Sequence, residues 1–206
     1  IADKINDNTL LSQAFRGLGL KFFYENRLDS ALLLLRKSLT YSDLSGYNKY
    51  RSNTYNLIGR IYLQQKLKEL AVENFLKGLQ SGKEQNNNSS IGESYIGIAG
   101  YYNQLGKNDS ALYYAQLGLV TSPKTGRIYG IIAAYNSLVS IYKSRNRADS
   151  ALVYLQLANT ANDSLLSREK IKQLQNIGFD EQVRLQELEK ESLQTKSRIR
   201  VYSLLG

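Results

Sequence analysis

Cysteine is absent from this sequence, which removes disulfide bonds and thiolate metal sites from consideration. Histidine is absent too, so the commonest general base and the usual zinc ligand are missing. The lack of cysteine says nothing about redox compartment, because exported and cytosolic chains alike can do without it. A single proline, Pro123, and no strand-like runs leave an all-helical reading. Methionine does not occur and Ile1 leads straight into polar residues, so the sequence reads as part of a longer gene product. Long basic runs and nucleic-acid motifs are missing as well, although the formal net charge is +9. Residues 161–206 hold eight Lys/Arg against seven Asp/Glu, so eight of the nine excess charges belong to residues 1–160. That pattern is a diffusely basic surface, with no nucleic-acid partner expected.

What is present is a repeat. The segments beginning at Asp29, Lys68, Asp109 and Asp149 read DSALLLL, KELAVENF, DSALYYA and DSALVYL, and their alanines (Ala31, Ala71, Ala111, Ala151) stand forty residues apart. Three further series keep the same period: Phe15, Tyr55, Tyr95, Tyr135; Leu18, Ile58, Ile98, Leu138; and Phe22, Tyr62, Tyr102, Tyr142. Phe15, Leu18 and Phe22 are spaced i, i+3, i+7, one face of an α-helix. A short polar turn follows, then a second helix carrying the small alanine where the two helices approach most closely. Asp29-Ser30, Asp109-Ser110 and Asp149-Ser150 offer N-cap chemistry for that second helix. Each repeat is therefore a helical hairpin. Longer polar links are expected at Tyr41–Lys49, Ser81–Ser90 and Thr121–Arg127, and the Asn/Ser-rich second link reads as a mobile loop.

The pattern resembles the tetratricopeptide repeat (TPR) family. Ile58-Gly59-Arg60-Ile61-Tyr62 with Ala71 and Phe75 carries the resemblance best, and Leu18-Gly19 with Phe22 and Ala31 comes next. Ala99 and Val139 depart from the family's glycine, no proline closes any repeat, and the forty-residue period exceeds the family's usual length. The resemblance implies an all-α, right-handed α-solenoid of four hairpins over residues 9–160, with residues 1–8 the end of a preceding repeat or a linker. It also implies protein or peptide binding in a concave groove, with no catalysis and no cofactor.

Beyond residue 160 the register fails. Residues 161–200 read as one long helix that starts at an Asp163-Ser164 cap, closes the solenoid and then projects; homodimerisation through it is expected. Lys196, Arg198 and Arg200 lead into Val201-Tyr-Ser-Leu-Leu-Gly206, which reads as the first turn of a membrane span continuing after Gly206. Asp163 to Glu189 resembles the segment that joins TPR sensor regions to a transmembrane helix in Bacteroidetes-type signalling proteins with histidine kinase or helix-turn-helix outputs. That resemblance implies a membrane-anchored, periplasmic sensor region. The alternative is a soluble, cytoplasmic TPR adaptor or peptide receptor.

No constellation for catalysis stands out. Gly17-Leu-Gly19 lies inside a helix and makes no phosphate loop, and six of the sixteen tyrosines sit at packing positions of the repeat. Helical spacing counted off the packing residues puts Arg16, Asn56, Arg60, Asn103, Asn136 and Lys143 on one concave face. Asparagine, arginine and lysine there suit a peptide backbone or carboxylate, and the excess positive charge favours an acidic partner.

Overall fold

The computed structural model describes residues 2–122 and 128–205. It is an all-α helical-repeat solenoid: α1 (Ala2–Tyr24), α2 (Leu28–Ser45), α3 (Arg51–Gln64), α4 (Lys68–Glu84), α5 (Asn88–Gln104), α6 (Asn108–Thr121), α7 (Ile128–Ser144) and α8 (Ala148–Leu205). Packing divides the chain into two compact units that meet at Ala161 and Asn162. The first holds the hairpins α1/α2, α3/α4, α5/α6 and α7 with the start of α8. The second holds the rest of α8.

The hairpin turn is the same chemistry used repeatedly. Asn26, Lys66, Gly106 and Asn146 all have positive φ, between 54° and 70°. In the first hairpin Arg27 N–H bonds the Phe22 carbonyl at 2.9 Å and Asn26 N–H the Phe23 carbonyl at 3.0 Å. The same pair of bonds recurs after Tyr62, Tyr102 and Tyr142. This is a Schellman closure, which satisfies two carbonyls left open at the helix end and needs a residue tolerant of the left-handed region. The next helix begins one or two residues on. Asp29 and Asp109 therefore lie in the first turns of α2 and α6, whose capping residues are Arg27 and Lys107. The expected Asp-Ser caps are in fact dipole partners.

The repeating alanines do mark the closest approach. Ala31, Ala71 and Ala111 are fully buried and Ala151 nearly so. Opposite them, a Cβ added to Gly59 would come within 2.8 Å of the Phe75 ring and 3.1 Å of the Ala71 carbonyl. Phe75 reaches further, since a Cβ on Gly97 of α5 would meet its ring at 2.2 Å. One phenyl ring thus fills the space left by glycines in two successive hairpins. Where Ala99 replaces the glycine, Ala115 stands in the place of Phe75 in the same buried cluster, so two small side chains meet instead of a glycine and a ring. Ile58, Ile98 and Leu138 are buried as their series requires, but Leu18 is 47% exposed. No hairpin precedes α1 among the described residues, so its outer side has no neighbour.

Two links are shorter than expected. Helix α4 runs to Glu84 and α5 starts at Asn88, so Ser81 and Gly82 are helical and buried rather than part of a mobile loop. Asn87 is the N-cap of α5, its side chain accepting from Ser90 N–H at 3.2 Å. Similarly, α2 continues to Ser45, and α1 already includes residues 2–8. Asp163 and Ser164 fall inside α8 and cap nothing. Most of the Thr121–Arg127 link, with Pro123, lies outside the described residues.

Hydrogen bonds across the stack join residues about one period apart. Asn56 donates to the Ser90 carbonyl and accepts from Ser94; Asn53 donates to Glu93, and Gln104 to the Leu63 carbonyl. Each links α3 to α5, the first helices of neighbouring hairpins.

Candidate functional site

The first helices of the hairpins, α1, α3, α5 and α7, present their side chains in rows that recur every forty residues. Two rows reach solvent together. One contains Phe23, Leu63, Asn103 and Lys143; the next contains Tyr24, Gln64, Gln104 and Ser144. Their members connect from hairpin to hairpin. Gln64 donates to Asn26 at 3.0 Å, Asn103 donates to Ser140 at 3.0 Å, and Ser144 donates to Asn103 at 3.0 Å.

An open pocket of about 300 Å³ lies along these rows, lined by Phe23, Arg60, Leu63, Gln64 and Gln104. It draws one side chain from α1, three from α3 and one from α5. The Arg60 guanidinium carbon sits 4.8 Å from the centre of the Phe23 ring, which orients the head without neutralising it. Among the described residues no carboxylate pairs with Arg60; the ion pairs of this unit join Lys21, Arg27, Arg51, Lys77 and Arg145 to other partners. A cation stacked on a ring, two amide side chains and two apolar walls can hold an extended segment with an acidic group.

The six residues expected on one face separate into different environments. Arg60, Asn136 and Lys143 are exposed, and Asn103 is half-buried while keeping its bonds to Ser140 and Ser144. Arg16 is half-buried with its guanidinium 4.4 Å over the Tyr50 ring. Asn56 corrects the expectation: it is 2% exposed, and its amide is spent on Ser90 and Ser94. The physical reason is phase. Positions 16, 56, 96 and 136 form the seam on which the next hairpin stacks, so Asn56 is covered by α5 and unavailable to any ligand. Asn136 belongs to the same seam, and among the described residues no first helix follows α7; its side chain is exposed. The residues missed were Phe23, Leu63, Gln64 and Gln104. A signal for them existed, since Gln64 and Gln104 are identical residues one period apart.

Comparison with known proteins bears on the fold. No family model matches the chain, and no curated protein matches it. Among solved structures it is similar to BtubC (BKLC) from P. vanneervenii, with a TM-score of 0.61 and 15% identity. The helical-repeat fold is shared. The similarity covers 77% of this chain and 65% of BtubC, so the chain spans less than two thirds of that structure's length. At this identity the likeness speaks for architecture alone.

Among the described residues there is no group of three or more metal-ligating side chains, and no helix is long and apolar enough to cross a membrane.

Proposed function

We propose that the hairpin unit is a non-catalytic binding module for a protein or extended peptide with acidic groups, recognised on the face of α1, α3, α5 and α7. The observation that carries this reading is the Arg60 pocket, a cation without a carboxylate partner among the described residues, set between apolar and amide side chains from three successive hairpins. The net positive charge of residues 1–160 supports an acidic partner by steering it to this surface. On the finer level the repeats are read as TPR-like, through Leu18-Gly19 and Ile58-Gly59 with Ala31 and Ala71, and the binding face as the concave side of the stack. The resemblance of Asp163–Glu189 to sensor segments supports a second role for the C-terminal helix, as the element that self-associates and passes occupancy to a membrane-bound, periplasm-facing signalling protein. Leu166, Ile171, Phe179 and Val183 are exposed there and suit a helix–helix contact.

Replacing Arg60 and Lys143 together by alanine tests the binding role. Charge-assisted contacts contribute about 1.5–3 kcal/mol each, so affinity for an acidic peptide ligand should fall at least about tenfold. Both side chains are exposed, and the melting temperature should stay where it is. An affinity indifferent to the double substitution would remove this face from consideration.

A further inference from the structure

Aromatic stacking fills the groove between the two helices of the first, third and fourth hairpins. Phe15 stacks on Tyr41 with centroids 5.4 Å apart and planes 13° apart. Tyr114 lies parallel to Tyr102 at 5.4 Å and meets Tyr95 at 6.1 Å. Tyr154 repeats that arrangement with Tyr142 at 5.5 Å and Tyr135 at 6.1 Å.

The second hairpin keeps the platform and loses its partner. Tyr55 occupies the position of Phe15, Tyr95 and Tyr135, yet its ring has no aromatic neighbour among the described residues. Ser81 stands where the first hairpin has Tyr41, and Asn74 stands where the third and fourth have Tyr114 and Tyr154. Asn74 turns its amide back to the Leu70 carbonyl at 2.8 Å and does not fill the gap. The space beside Tyr55 is a pocket of about 430 Å³, walled by Leu76, by the cations Arg51 and Lys77, and by Gln80 with the carboxylates Glu73 and Glu84, while Ser81 lies at its floor. Both cations are held in place, Arg51 by Asp43 at 2.5 Å and Lys77 by Glu73 at 2.6 Å. Lys37, the equivalent of Lys77 in the first hairpin, lies 5.5 Å over the Phe15 ring, so this position already serves a cation–π contact elsewhere in the chain.

We infer that the α3/α4 pocket is a binding site for the flat aromatic side chain of a partner peptide, an indole or phenol that stacks on Tyr55 in place of the ring this hairpin lacks. An aliphatic group would gain burial there but no stacking on the Tyr55 ring. The pocket shares no lining residue with the Arg60 pocket, so either site can fail without the other.

The test titrates N-acetyl-tryptophanamide into the full chain and follows the Leu76 methyl groups by NMR, with N-acetyl-leucinamide as the non-aromatic control. The indole should give saturable, ring-current-shifted Leu76 signals, and the leucine derivative should not. Ser81→Tyr supplies the ring from within, as Tyr41 does in the first hairpin, and should weaken indole binding at least tenfold. Ser81 is buried, so Gln80→Tyr, at an exposed position that lines the pocket, provides a second filled variant with helicity checked by circular dichroism. The site is refuted by a wild-type chain with no saturable shift at Leu76. Equal response to the leucine derivative refutes it too, as does unchanged indole affinity in a folded filled variant.

Discussion

Lys66 holds a backbone conformation that its three equivalents assign to asparagine or glycine. Its φ is +63°, against +58° for Asn26, +70° for Gly106 and +54° for Asn146. A β-carbon in the left-handed region meets the following carbonyl and costs about 1–2 kcal/mol, which glycine avoids and asparagine partly offsets. The Lys66 side chain is exposed and makes no contact that the turn needs. Lys66→Gly should therefore stabilise the fold by about 0.5–1 kcal/mol, part of the gain being returned to the more flexible unfolded chain. Urea unfolding of the two proteins measures it; equal or lower stability would mean that the turn tolerates lysine without strain. At this scale the sequence was legible where one residue type recurs, as at the alanines. It misled where a short polar side chain had two uses. Asn56 has the same chemistry whether it faces solvent or bridges Ser90 and Ser94, and only the stacking of α5 decides between them.

Among the hairpin elements, the tyrosine stacks of the third and fourth repeats carry a titratable signature. Burial holds the Tyr114 and Tyr154 hydroxyls above the ordinary tyrosine value, with neighbouring tyrosines, Tyr102 and Tyr142 foremost, adding to the shift. The folded state thus binds these protons more tightly than the unfolded chain. The stability they contribute is complete below the unfolded pKa of about 10 and is lost as pH rises through the folded values. Tyr114→Phe combined with Tyr154→Phe keeps both stacks and removes both ionisations. The wild type should lose melting temperature more steeply than this variant above about pH 10, and parallel curves would show that the phenols do not couple to folding. The hairpins themselves were readable from periodicity, because one helix face must be apolar every 3.6 residues or so. Their ends were less so. Ser81 and Gly82 look like loop residues, but they are where α4 and α5 cross closely, and small side chains serve a crossing as well as a turn.

The whole molecule divides at Ala161/Asn162, within α8. The first unit contains both buried clusters, one around Phe75 and one around Ala115 and Leu138. A chain ending at Ser167 should accordingly unfold cooperatively and within about 2 °C of the full chain, since a shift of that size corresponds to less than about 1 kcal/mol. Calorimetry checks the folding. Sedimentation of the two lengths should show self-association only in the longer one; an identical oligomeric state would mean that the contact lies in the hairpins or does not form.

Periodicity alone determined that this chain stacks four helical hairpins, because a forty-residue recurrence of aromatic, aliphatic and small residues has to bury the same surfaces each time. It also set which small residues meet, from Ala31 through Ala151. Tertiary structure decided which polar rows remain at the surface. A helix has no seam until its neighbour is placed, and equivalent residues acquire different neighbours in successive hairpins. Hence Ile58 is buried and Leu18 is not, and Asn136 is open while Asn56 is closed.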